Sequence, residues 1–434
     1  MMHLFVSKNN NKGLALISIY LVITVLLIFS GAFFSLSINQ NYTSDIFKRR
    51  IKAFYLSEAG LDRAVVWLRA QPSPPVGNRT DPWGGIQSLG GGSYTALIAD
   101  LGAIGGSGNI RRYRITSTGT YGNINRTLVN YVQVDNYARY LWFTDKEVFN
   151  GSTVWFWTQD RLNGPTHTNG HFNIAGDPVF ENETRSVDDY IRFFNDGHNI
   201  NLSQLTNSPH DNPDFQHGIN FGAEPTTMPS QALSLRAAAS SGGISLQGNT
   251  TIVLNNNGTM NVTNDKKKWN NKNMALPTNG ALFVNSGNLD ISGVLNGRLT
   301  AGASYDVIIR NNIVYADDPR TNPASDDAMG IIAESDVVIA STAPFDLEID
   351  ACIMGMNTSF VLDNWWLGPP KGTLNVYGGI IQNERGPVGT FNGITGQKVS
   401  GYSKNYLYDA RLLGSPPPFM PTTGDYVALA WEEN

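Results

Sequence analysis

One cysteine, Cys352, serves the whole 434-residue chain. No intramolecular disulfide and no multi-cysteine metal site can therefore form. Cys352 lies in the apolar run Ile349–Met354, which suits a small buried hydrophobe better than a reactive thiol. Charge is also scarce: 15% of residues are Asp, Glu, Lys or Arg, and 31 basic against 36 acidic residues leave a net charge of −5. No basic stripe runs beside aromatics, so there is no footprint for nucleic acid. A phosphate loop, a nucleophile elbow and a dinucleotide fingerprint are all missing, which removes the signatures of common enzyme classes. No enzymatic activity and no cofactor are expected. Long apolar runs are missing as well, with one exception at the N-terminus.

That exception is Leu14–Leu36, dominated by Leu, Ile, Val and Phe, inside a stretch from Lys12 to Asp45 that holds no charge. About twenty such residues span a bilayer as a helix, whereas the apolar part of a secretory signal covers roughly 7–15. Helical spacing continues through Phe47, Ile51, Phe54, Leu61, Val65 and Leu68, three, four or seven apart, and predicts one stripe that packs on a folded head. Glu58 falls within that stripe. A carboxylate there needs a partner, so backbone N–H groups or an Arg of the head are expected to meet it. The helix should end before Pro72, since proline restricts its predecessor and removes a donor. Lys48, Arg49, Arg50 and Lys52 outnumber Lys8 and Lys12, which by a simple count favours a cytoplasmic C-terminus. The polar spacer Ser35–Ser44 holds those four charges away from the lipid.

Lys12–Gly13 followed by Leu14–Ala15–Leu16–Ile17 resembles a prepilin leader and cleavage site. The run Ala53–Phe54–Tyr55–Leu56–Ser57–Glu58–Ala59–Gly60–Leu61 resembles the signature of PilX-type minor pilins. The resemblance implies a type IV pilin-like protein whose head lies outside the cytoplasm, in the periplasm or on a pilus, held in the bacterial inner membrane by one helix. It also implies that a prepilin peptidase cuts after Gly13 and methylates the amine of Leu14, and that other pilin or pseudopilin subunits are partners. Major pilins usually carry Glu at the fifth mature position, where this chain has Ser18. That departure fits a minor, priming or tip subunit.

Beyond the helix, Pro- and Gly-rich residues 72–90 read as a loop, and strands are expected at Ser93–Asp100, Arg111–Tyr121 and Ile124–Val134. The short Gly122–Asn123 link makes the last two an antiparallel hairpin. From about residue 145, short apolar runs such as Ile244–Leu246, Leu289–Ile291, Val307–Ile309 and Val337–Ile339 are separated by Gly, Asn and Asp. They recur at roughly 18–30 residues, which suggests coils of a parallel β-solenoid, with a β-sandwich as the alternative. The expected class is α+β: leader 1–13, helix 14–71 with membrane part 14–36, small antiparallel pilin-like sheet 72–140, and β-rich domain 141–434. Gly164–Gly170, Tyr315–Arg320, Met329–Ala333 and Tyr408–Leu412 resemble segments of an uncharacterised domain found behind such N-termini. That resemblance brings no activity with it.

Several groups could carry chemistry. His167 and His171 stand four apart in a Gly/Asn-rich region with no carboxylate at zincin spacing, so polar turn residues capping a coil are a more natural reading than a metal pair. Asp317, Asp318, Asp326 and Asp327 flank an Arg-Thr-Asn-Pro loop and could hold Ca²⁺ or simply be a solvated insertion. Val154–Trp155–Phe156–Trp157 and Trp365–Trp366 are dense in aromatics. Such density marks cores, interfaces and carbohydrate-binding faces alike. Trp155 and Trp157 share one strand face, so that face can meet a surface glycan or protein ligand while the other packs inward.

Overall fold

The computed structural model describes residues 12–104, 109–392, 395 and 397–433. The expected leader therefore falls, up to residue 11, outside the described residues. A single helix, α1, runs from Lys12 to Arg69 over 58 residues, about 85 Å at 1.5 Å per residue. It is long and apolar enough to cross a membrane, and its most apolar stretch is wholly unburied. Ser18 Oγ donates to Leu14 O at 2.9 Å and Thr24 Oγ1 to Tyr20 O at 2.8 Å. The helix thus satisfies its own hydroxyls, as a segment placed in lipid has to do.

The second half of α1 lies across an antiparallel sheet built from Gly92–Ala103, Arg111–Tyr121 and Ile124–Asn136. Gly122 has a φ of +60° in the two-residue turn between the last two strands. The face of α1 that is buried here keeps Leu61 and Leu68 of the expected stripe but is turned away from its first part. Ala53, Leu56, Ser57, Leu61, Ala64 and Leu68 are buried, and so is Gly60. Phe47 and Ile51 instead stay exposed, at 62% and 39%. Phe54 and Val65 pack only at the margin of the core. Half-exposed Glu58 has neither hydrogen bond nor ion pair among the described residues. At ~100° per residue the buried face is rotated by roughly 90° from the expected one. The cause is size. A Cβ on Gly119 would stand 2.1 Å from Ala53 O and 2.4 Å from Ser57 N, so helix and strand touch backbone to backbone, which large side chains would prevent.

The final strand, Thr422–Glu433, was expected to lie in the large β-rich part. It pairs instead with Ile124–Asn136, antiparallel, with Tyr426 opposite Val134 and Glu433 opposite Leu128. Arg69–Asp425 at 2.9 Å and the Arg126–Glu433 pair tie it to the helix end and to its neighbour. The segment 141–434 is therefore divided between the two parts.

The large part is a stack of parallel pairings. One ladder passes, neighbour to neighbour, through Ile244–Gln247, Ala281–Asn285, Arg298–Ala303, Ala328–Ala333, residues 352–355, residues 380–384, Trp142–Lys146, Thr166–Thr168, Thr184–Ser186 and Ile219–Phe221. Another joins Thr250–Asn255, Leu289–Leu295, Val307–Tyr315, Val337–Ile339 and Phe360–Leu362. Leu246, Ile252, Ile291, Ile309, Ile331, Ile353 and Val376 share the interior.

The order of strands in the stack is not the order of the chain. Trp142–Lys146, the first, lies between residues 380–384 and Thr166–Thr168. The chain enters mid-stack, winds out to Ile219–Phe221, crosses to the far end at Ile244, and winds back to its starting point. The crossing segment, residues 222–243, carries the short helix α2, Leu233–Ser240, and lies over the outer side of the first ladder. There Ala232, Leu235 and Ala239 cover Phe143, Phe283, Ile332, Cys352 and Met354. Strands of that ladder are thus buried on both faces, which explains unbroken apolar runs such as Met329–Ala333. Asn169 fastens the crossing segment: its Oδ1 accepts from Thr226 N at 2.9 Å and its Nδ2 donates to Thr226 O at 2.7 Å.

The contact between α1 and Gly119 yields a test. Gly119→Ala should destabilise the full chain in detergent by about 1–3 kcal/mol, a cost typical of overpacking, and lower the temperature of thermal unfolding. Gly414→Ala, where the nearest atoms stand 3.9–4.0 Å from an added Cβ, should leave it unchanged.

Candidate functional site

Four of the sequence-predicted aromatics meet in space. Phe156 points into the core at 1% exposure, while half-buried Trp155 and Trp157 on either side of it line a cleft. Trp365 and Trp366 come from the turn after Phe360–Leu362, where Trp365 N bonds Leu362 O at 3.2 Å and Asn364 takes a φ of +54°. The cleft encloses ≈450 Å³ and is also lined by Phe194, Phe391 and Tyr406. Trp365 and Trp366 meet edge to face, with centroids 5.5 Å apart at 81°. Trp157 lies parallel to Phe391 at 6.4 Å, and Trp155 stands edge-on to Phe194 at 5.4 Å.

Beneath these rings lies a charge network that sequence reasoning missed. Arg385 is 1% exposed. Its guanidinium donates to Glu147 Oε2 at 3.1 Å, to Val154 O at 3.3 Å and to Trp155 O at 3.0 Å. It also rests 3.5 Å from the centroid of the Phe156 ring. Asp160 Oδ2 lies 3.7 Å from Arg385 and 2.8 Å from Lys404 Nζ, and accepts from Trp157 N at 3.1 Å. Burial pulls the Lys404 ammonium below its usual range, against the opposing pull of Asp160. Two cations thus face two carboxylates, and both acids carry the segment that presents Trp155 and Trp157. Arg385 and Glu147 stand 238 positions apart, so no local spacing could have announced the pair.

The other candidates fall elsewhere. Gly13 and Leu14 lie on the open end of α1; Gly13 has no atom within 4 Å of where a Cβ would stand, and Leu14 is 71% exposed. His167 is buried, stacks on Phe143 at 5.2 Å and bonds Asn169 through Nε2 at 3.0 Å. Burial holds its pKa below the usual histidine value. His171 Nδ1 pairs with Asp188 at 2.9 Å instead, so the two histidines serve separate contacts. The Asp-rich loop does not converge on a cation position. Asp318 pairs with Arg320 at 2.8 Å, and Asp327 accepts from Gly297 N and Asp317 N at 2.5 and 2.9 Å. Asp317 Oδ2 accepts from Asn322, and Asp326 stays exposed. No group of three or more His, Cys, Asp or Glu among the described residues is placed to hold a metal. What the loop holds is Arg411, which donates to Ser325 O at 2.7 Å and Asp327 O at 3.0 Å while paired with Asp409. The segments around Tyr315 and Tyr408 thus meet through one guanidinium.

Residues 108–188 match a family described as a domain of unknown function, DUF4900. The match takes in Glu147, Trp155, Trp157, Asp160 and the Gly164–Gly170 segment, but not the segments at 315–320, 329–333 or 408–412. No curated protein sequence matches the chain. Among solved structures it is similar to the competence-associated pilin ComZ from Thermus thermophilus, at TM-score 0.32 and 11% identity, over 89% of this chain and 97% of that one.

Two outcomes are expected. Arg385→Met leaves Glu147 buried without its cation, while Asp160 keeps Lys404 at 2.8 Å. The loss should cost about 3–5 kcal/mol; adding Glu147→Gln should restore part of the unfolding temperature. The second concerns Asp350, which is 1% exposed. Burial raises its pKa to about 7 from 3.8, opposed by Arg320 and by Tyr315 N–H. The folded state then binds the extra proton across that interval, so this contribution to stability is full below pH ~4 and lost as pH rises through ~7. The unfolding temperature of the unaltered protein should fall between pH 5 and pH 8 relative to Asp350→Asn.

Proposed function

We propose that the protein is a minor pilin or pseudopilin-like structural subunit of a type IV pilus or a related envelope filament. The observation that carries this reading is the division of α1. Its first half presents Leu14, Phe29, Phe33, Phe34 and Leu36 at 57–71% exposure, and its second half is seated on an antiparallel sheet. Such an apolar rod needs lipid before assembly and neighbouring helices after it, and van der Waals packing drives the exchange. The small residues Ala53, Ser57 and Gly60, which make the close helix–sheet contact, belong to the PilX-like signature. Ser18, where a main fibre subunit usually has Glu, carries no charge to offer a neighbour's amine, and its hydroxyl is spent on Leu14 O. That supports a priming or tip position rather than a main fibre subunit.

In this reading a prepilin peptidase cuts at the exposed Gly13–Leu14 bond and methylates Leu14. The helix then sits in the bacterial inner membrane, with the head in the periplasm or carried outward on the filament. The large part is a parallel β-solenoid, displayed and without enzymatic activity. A second reading, a membrane-anchored carbohydrate-binding or polysaccharide-processing module that never joins a filament, draws its support from the aromatic cleft, and a tip adhesin would combine binding with assembly. Mass spectrometry of the mature N-terminus after co-expression with a prepilin peptidase tests the proposal. Methylated Leu14 at the terminus is the expected result. An intact N-terminus, where a control prepilin is cut, would leave α1 a plain anchor.

A further inference from the structure

We infer that the cleft between Trp155, Trp157, Trp365 and Trp366 binds a neutral oligosaccharide. Its ≈450 Å³ falls within the roughly 300–1,000 Å³ of small-ligand sites. The indole N–H groups of Trp142 and Trp365, both on residues lining the cleft, are buried without an acceptor among the described residues. Trp142 is only 3% exposed. A buried donor left unpaired is costly, and an arriving oxygen acceptor removes that cost.

Other ligand classes fit less well. An anion would need a free cation, yet Arg385 and Lys404 are already matched by Glu147 and Asp160. An extended peptide would need an open backbone edge. The carbonyls of Val154 and Trp155 are taken by Arg385, and those of Pro387 and Val388 by Leu362 and Tyr402. Gly389–Phe391 is paired along one edge with Lys398–Tyr408, which leaves a peptide at most a three-residue edge, and the peptide comparison below tests it. What stays available is ring faces and the side chains of Asn150 and Ser152, which also line the cleft, while the two indole donors are covered in the unliganded cleft and meet an acceptor only as the rings adjust around a ligand.

A saccharide answers each of these. Its hydroxyl and ring oxygens accept from N–H donors, and its hydroxyls both donate and accept at amide and hydroxyl side chains. The C–H face of a pyranose, positive at its hydrogens, lies against the negative face of an aromatic ring. Trp366, at 56% exposure, is the ring such a ligand meets first. The inference does not depend on filament assembly, since it rests on the head alone.

The test is a tryptophan-fluorescence titration of the full chain, held in a detergent without a sugar headgroup. The probes are maltohexaose, cellohexaose, mannohexaose and chitohexaose, with oligogalacturonate and a soluble aromatic-rich peptide as comparisons. At least one neutral hexasaccharide should give a saturable change. Trp366→Ala and Trp157→Ala should each raise Kd by about five- to tenfold, with the unfolding temperature kept. Trp365→Phe, which keeps a ring and loses the N–H, should weaken binding by a smaller factor. Saturation by none of the four neutral probes, tighter binding of oligogalacturonate or the peptide, or an unchanged Kd in a folded Trp366→Ala variant would each overturn the inference. None of these results would bear on processing at Gly13.

Discussion

An interior parallel strand must find hydrogen-bond partners along both edges, because no water reaches its N–H and C=O groups. Trp142–Lys146 meets that demand by lying between residues 380–384 and Thr166–Thr168. The rest of the head follows from this placement. It brings the early rungs and the late rungs into one stack, so the chain must cross from Ile219–Phe221 to Ile244 along the outside. It also sets Glu147, one residue beyond the strand, against Arg385, one residue beyond its neighbour. The floor of the cleft is thus a consequence of the register of a single strand pair.

The charge network shows how that register is held. Burying a guanidinium and two carboxylates costs several kcal/mol per ion unless each finds partners. Here the cation meets a carboxylate, two backbone carbonyls and an aromatic face, so the segment 147–160 has one arrangement in which every charge is answered. That segment carries Trp155 and Trp157. The same logic recurs at the other seam, where Arg411 binds the carbonyls of the Asp-rich loop just before the chain returns to the small sheet. In both places an arginine does what a metal ion or disulfide does in other folds, consistent with a chain that has one buried cysteine.

The small sheet and α1 obey a different constraint, that of distance. Gly119 and Gly60 leave no room for a Cβ, with Ala53 O and Ser117 Oγ both 2.1 Å from where one would stand. The hydrophobic spacing of Phe47, Ile51 and Phe54 points to a face that only partly coincides with the buried one, which shares Leu61 and Leu68 with it. At this interface closeness wins over side-chain area, and Phe47 and Ile51 are left facing outward.

Read alone, the sequence determined whatever depends on neighbours along the chain. The uncharged run Leu14–Leu36 specified a membrane-competent helix, Pro72 its end, Gly122–Asn123 a tight turn, and the recurring short apolar runs a strand-rich head. The aromatics Trp155, Trp157, Trp365 and Trp366 were visible as unusual, though not as one cleft. Tertiary structure alone decided which strand follows which in the stack, where Thr422–Glu433 returns, which face of α1 is buried, and that Arg385 meets Glu147. These depend on contacts between residues far apart in the chain, fixed by edge pairing and by the need to neutralise buried charge, and neither leaves a periodic trace in the sequence.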